Sequence, residues 1–146
     1  MKRIIVVSFS GGRTSGRFID YCENVLRPQG YVIFYVFMDT GAEDPETYKF
    51  IKNIYEQWKI PLFCIRLLAN TPLGTGNNFQ VLPVSELKQD YFGWTQMLAK
   101  YGTPYKGGEF CTDRMKTGIF NNFCDSMFGK DNYDIITIEE IFDNRT

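Results

Sequence analysis

The first half of the chain alternates short β-branched apolar runs with segments whose apolar residues recur at helical spacing, and few folds accommodate that order. Ile4-Ile5-Val6-Val7 opens a strand over 4–9, and Phe18, Ile19, Cys22, Val25 and Leu26 then repeat with the period of a helix over 15–27. A strand over 31–37, a helix over 45–58 and a strand over 61–67 follow. Strands separated by helices of this length form βαβ units, which require a parallel sheet with helices on its faces. The second helix has a clear start: Asp44 suits the N-cap, Pro45 the first turn, and Glu46 the positive end of the dipole. Its apolar residues Phe50, Ile51, Ile54, Tyr55 and Trp58 are expected to face the sheet.

Beyond the third strand the pattern loosens. Ala69 to Gln80, ANTPLGTGNNFQ, is rich in Gly, Asn and Thr and reads as an irregular loop. A helix is expected over 84–100, then a loop, YGTPYKGGEFC, that leads into a helix from about 111 to 127. Tyr133 to Ile138 reads as a fourth strand. No repeat or composition break divides the chain, so residues 1–146 are expected to form a single domain.

Composition narrows the function. The 44% hydrophobic and 23% charged content of the 146 residues belongs to a folded chain with a real core. A net charge of −1 supplies no general attraction to nucleic acid or to an anionic membrane surface. No apolar run approaches the ~20 residues needed to span a bilayer, and the expected location is cytoplasmic. The cysteines Cys22, Cys64, Cys111 and Cys124 show no CxxC spacing, and no metal ligands are assigned. With no histidine, the chain cannot build a Ser-His-Asp or Cys-His hydrolytic device by itself.

Three stretches fall at the carboxyl ends of strands or at a helix start, where open parallel sheets bind ligands. The first is SFSGGRTSG, Ser8 to Gly16: a glycine pair and hydroxyl side chains between a strand and a helix, where backbone N–H groups and the helix dipole favour phosphate. The alternative is a tight turn whose serines only cap the helix. The second is MDTGAEDPE, Met38 to Glu46, in which Asp39 suits either a ribose hydroxyl or the capping of its own turn. The third is FCTDRMK, Phe110 to Lys116, whose Arg114 and Lys116 suit phosphate neutralisation or simply a solvated helix face. Two familiar fingerprints are absent. The window from Gly11 to Phe18 has Walker A glycine spacing but places Arg17 and Phe18 where Lys and Ser/Thr are required, and no GxGxxG is present.

Together these stretches resemble the PP-loop superfamily, the adenine nucleotide alpha hydrolases, and within it the phosphoadenosine phosphosulfate (PAPS) reductase-like branch found widely in phages and prophages. Ser10-Gly11-Gly12-Arg13-Thr14-Ser15 is similar to the family's SGGxDS loop except at Thr14. FMDTGAEDPETYKF resembles the second motif and FCTDRMKT the third, so the likeness runs over roughly 4–128.

The resemblance implies a three-layer α/β/α fold of Rossmann-like, HUP type, with strand order 3-2-1-4-5. Its family continues past the fourth strand with a Gly-x-Arg stretch, a helix and a fifth strand, where this chain offers EEIFDNRT. The expectation is therefore a sheet lacking its last strand, either a minimal or truncated version or one whose open edge is covered by a second copy or a partner protein. Ser8, Ser10, Gly11, Gly12, Arg13, Thr14 and Ser15 would surround the phosphates of ATP or a related adenine nucleotide with Mg²⁺, and Phe37, Met38, Asp39 and Thr40 would hold adenine and ribose. Arg13, Arg114 and Lys116 would stabilise charge during cleavage between the α- and β-phosphates, with adenylyl transfer to an acceptor the sequence does not identify. Two rivals follow. Thr14 in place of the loop's acidic residue favours a non-catalytic module that holds a nucleotide. A sulfonucleotide reductase would use Cys111, at an expected helix start, although the reductase tail Glu-Cys-Gly-Leu-His and the iron-sulfur Cys-Cys pairs do not occur in this sequence.

Overall fold

The computed structural model describes residues 2–9, 14–68, 78–101 and 118–137. β1 (Ile4–Phe9) leads through four residues into α1 (Thr14–Tyr21), which continues as a π-helical turn over Cys22–Leu26 and a 3₁₀ turn over Arg27–Gln29. Then come β2 (Val32–Asp39), α2 (Pro45–Trp58), β3 (Leu62–Leu68), β4 (Asn78–Leu82), a 3₁₀ turn (Val84–Glu86), α3 (Phe92–Tyr101), α4 (Gly118–Phe128) and β5 (Tyr133–Ile136).

The five strands form one sheet in the order β4-β3-β2-β1-β5. β1, β2, β3 and β5 are parallel, so the strands expected from sequence take the expected 3-2-1-4 order. The chain moves outward from β1 to β3 and then crosses to the far side of β1 for β5, which makes the end of β1 a topological switch point. Two apolar layers cover the two faces. Ile5, Val7, Phe9, Ile33, Tyr35 and Phe37 pack against α1 and α2, and Val6, Val36, Ile65 and Leu67 against Ile119, Phe120, Phe123 and Cys124 of α4. This is a three-layer α/β fold, and the strict alternation of the two sets along β1 and β2 is the period-two geometry of a strand covered on both faces.

Several expectations need correction. The sheet is mixed: Asn78–Leu82, inside and just past the stretch read as irregular loop, pairs antiparallel with β3 from Leu68↔Asn78 to Cys64↔Leu82. The Gly/Asn composition pointed away from a strand, but the outer edge of β3 supplies the hydrogen bonds that local propensity does not. The helix expected over 84–100 is a 3₁₀ turn followed by α3 from Phe92. Tyr91 has φ 56° and Asp90 Oδ1 accepts from Phe92 N–H at 3.0 Å, so α3 starts afresh after a capped break.

The first helix likewise changes character. Its α portion stops at Tyr21, and in the π turn that follows Val25 is 39% exposed, whereas Phe18, Cys22 and Leu26, four residues apart, stay buried. On α2 the buried stripe is Tyr48, Ile51 and Ile54, whereas Tyr55 and Trp58, on the same helical face but in the last turn, are 41% and 39% exposed. The α2 start is as expected: Asp44 Oδ1 accepts from Glu46 N–H at 2.8 Å and Pro45 follows. β2 runs two residues further than expected, to Asp39, and β5 ends at Ile136. Residues 111–117 of the helix expected to start at about 111 lie outside the described residues.

Candidate functional site

The switch point is built by unequal strand ends. β1 pairs with β2 up to Phe9↔Phe37 and with β5 only up to Val7↔Ile136, so the last two residues of β1 project past β5. Ser8 sits there, half-buried on the α4 face, and Thr14 opens α1 five positions after Phe9. Ser15 lies in the first turn of α1. Ser10, Gly11, Gly12 and Arg13 fall outside the described residues, as do Cys111, Arg114 and Lys116.

On the other side of the switch point β2 outruns β1. Val32 N–H donates to Arg3 O at 2.9 Å and Tyr35 N–H donates to Pro61 O at 2.9 Å, so even-numbered β2 residues address β1 and odd-numbered ones address β3. Met38 is one residue past the last β1 pair, and by this alternation its carbonyl faces the space beyond Phe9. The Met38 side chain packs half-buried toward α4. Phe37 instead turns its ring into the α1/α2 core, edge-on to Tyr48 at 6.4 Å and 2% exposed, which leaves only its backbone for any ligand.

The turn after β2 is held from several directions. Asp39 is 2% exposed, and its Oδ1 accepts from Gly41 N–H at 2.9 Å and from the Tyr48 hydroxyl at 2.6 Å. Burial pushes the Asp39 carboxyl above the ordinary carboxylate range, those two hydrogen bonds oppose the shift, and the charges of Asp90 and Glu43 add to it. Tyr48 is in turn pushed up by burial and by its bond to Asp39, and so stays a phenol donor. The Tyr48 oxygen also accepts from Glu43 N–H at 3.3 Å. Thr40 Oγ1 accepts from Ala42 N–H at 3.1 Å and donates to Glu43 Oε1 at 3.4 Å.

Two backbone bonds tie this turn to the start of α3: Tyr91 N–H to Gly41 O at 2.8 Å and Gly93 N–H to Thr40 O at 3.0 Å. Gly41 must be glycine here. Its φ is +78°, and a Cβ would stand 2.6 Å from both Phe92 N and Asp90 Oδ1. Asp39 thus caps its own turn, and the second motif forms a rigid shelf at the carboxyl end of β2. Sequence reading singled out neither Tyr48 nor Asp90. Tyr48 lies four residues after the N-cap Asp44, and Asp90, two residues before Phe92, had the local position of a helix cap, while its pairing with Arg66 of β3 gave no local signal.

A mostly parallel, doubly wound sheet in which β1 ends at the reversal point defines a Rossmann-like α/β protein. Residues 4–72 match the phosphoadenosine phosphosulfate reductase domain family, so just under half of the chain is similar to that domain. The chain is also 43% identical over 133 residues to the uncharacterized nin region protein ORF290 of Escherichia phage lambda, a match covering 89% of this chain and 46% of that protein. The chain therefore spans about half the length of this relative. No solved structure matches the chain. The family match takes in the first two motifs, while the third, FCTDRMKT, lies beyond it.

Proposed function

We propose that the chain is a PP-loop protein that binds ATP or a related adenine nucleotide at the switch point and cleaves it between the α- and β-phosphates. The observation that carries this reading is that β1, which the SGGRTS stretch follows in sequence inside the PAPS reductase match, ends at the reversal point between β1 and β5. Open α/β sheets bind ligands at that point, and a glycine-rich strand-to-helix turn offers backbone donors to phosphate. The Met38 carbonyl, facing past the end of β1, is suited to accept from an adenine amino group, and Ser8 would offer its hydroxyl at the end of β1. Phe37 and Asp39 would contribute through their backbone, since their side chains are committed to the core and the turn.

In the proposed reaction a nucleophile on the acceptor bonds to the α-phosphorus, the bond from that phosphorus to the bridging oxygen breaks, and pyrophosphate leaves with the electron pair. Arg13, Arg114 and Lys116 would neutralise the developing charge. Among the described residues no group of three or more Asp, Glu, Cys or His side chains could hold a metal ion. A Mg²⁺ arriving with the nucleotide needs few protein ligands, because phosphate and water oxygens fill most of its octahedron. No helix among the described residues is long and apolar enough to cross a membrane.

The test is incubation with Mg²⁺ and ATP labelled at the α-phosphate beside a Ser10→Ala/Ser15→Ala variant. Labelled AMP or an adenylate that disappears in the variant supports the reading, whereas ATP bound but left intact favours the non-catalytic module. The family match itself favours a second reading, in which the same loop holds a sulfonucleotide and Cys111 attacks its sulfur. That reading requires thiol-dependent sulfite release lost in Cys111→Ser.

A further inference from the structure

At the sheet edge away from β5, α2, β3, β4 and the segment entering α3 line a depression, open to solvent, of about 570 Å³. That volume lies in the range of small-molecule sites. Its walls carry Lys52 of α2, Arg66 of β3, and Glu86, Lys88 and Asp90 from the approach to α3. Leu82 and Leu87, both buried, give it an apolar floor beside the ring of Phe92.

The charges do not cancel. Arg66 Nη1 lies 3.6 Å from Asp90 Oδ2, its Nε donates to Gln80 Oε1 at 2.8 Å, and its guanidinium stacks 3.6 Å from the centroid of Phe92. Those contacts fix the Arg66 plane and offset its charge against Asp90. Lys52 and Lys88 remain against Glu86 alone, and among the described residues neither lysine forms an ion pair. A concave site with an apolar floor, an immobilised guanidinium and an excess ammonium on its rim is complementary to an anion with an apolar body.

We propose that this depression binds a small molecule bearing an oxyanion group, a phosphate or a carboxylate, as a second site separate from the β1 switch point. Its wall is continuous with the shelf after β2, because Asp90 adjoins Tyr91, whose N–H is bound to Gly41 O. An occupant contacting Arg66 and Lys88 is therefore reported by amides of residues 88–93.

The test is an amide NMR titration of the full chain with inorganic phosphate and, separately, with citrate, against sodium chloride at matched ionic strength. Saturable shifts at Lys88, Tyr91, Phe92 and Gly93 are expected, with the phosphate or the citrate arm distinguishing the two oxyanions. Lys52→Gln/Lys88→Gln should weaken that binding about tenfold, since each lysine supplies a charge-assisted contact, and should leave the unfolding midpoint unchanged. Shifts no larger than in chloride, shifts that persist in the double variant, or shifts confined to Ser8 and Phe9 would overturn the proposal. ATP binding measured on the same double variant keeps the two sites distinguishable, because neither lysine belongs to the nucleotide site.

Discussion

The Tyr48 hydroxyl donates a 2.6 Å hydrogen bond to Asp39 Oδ1, joining the second turn of α2 to the last residue of β2 in a nearly water-free position. This bond, with the Gly41 N–H on the same oxygen, keeps a buried carboxyl satisfied at the carboxyl end of the sheet. Tyr48→Phe removes one of those donors and leaves Asp39 under-satisfied, which should cost about 1–3 kcal/mol in chemical denaturation. An unchanged midpoint would show that the bond contributes nothing net.

Because burial raises the folded-state value of Asp39 above its unfolded value near 4, the folded protein binds more protons than the unfolded chain in the window just above that pH. Stability attributable to this group therefore falls as pH rises from about 4 through the folded value, and the full penalty persists above it. Asp39→Asn keeps an oxygen to accept from Gly41 and Tyr48 but cannot ionise, so it should flatten that limb of the stability curve. Denaturant midpoints across pH 4 to 7 check it, and a parallel slope in both proteins would refute the assignment.

Gly41→Ala places a side chain at φ +78° and drives its Cβ to 2.6 Å from the Phe92 nitrogen. Strain and collision together should cost about 2 kcal/mol or more. Hydrogen exchange should accelerate first at Tyr91 and Gly93, whose amides bond the turn.

Below α1 a second polar cluster braces the π turn. Tyr35, fully buried, donates to Glu23 Oε2 at 2.8 Å, and Arg27 forms a bidentate pair with the same carboxylate at 3.0 and 2.9 Å. Glu23→Ala strands the Tyr35 hydroxyl in the core and should cost about 1–3 kcal/mol. Arg27→Met should cost less, since its side chain is 36% exposed and water replaces part of the pair. Equal losses in thermal melts would contradict the burial argument.

Cys22, Cys64 and Cys124 are buried free thiols, each pushed up by burial to about 12. Thiolate is the reactive form, so all three should resist iodoacetamide at pH 8 in the folded protein and react once it is unfolded. Peptide mapping reads the outcome at each cysteine.

The sequence by itself determined the alternating order of strands and helices, the Asp44-Pro45 start of α2 and the motif stretches, because each rests on residues within a few positions of one another. Period-two and helical spacing, caps and glycine turns are local physics. Only the tertiary structure decided that Asn78–Leu82 is a strand, since its hydrogen bonds come from the free edge of β3. Long-range contact likewise braces the break before α3, through Thr40 and Gly41, and accompanies the change to a π turn after Tyr21, where Glu23 meets Tyr35. The same holds for Asp39. Its place after β2 made ribose contact and turn capping equally legible, and the burial that gave Oδ1 to Gly41 and Tyr48 exists only once β2, α2 and α3 have packed.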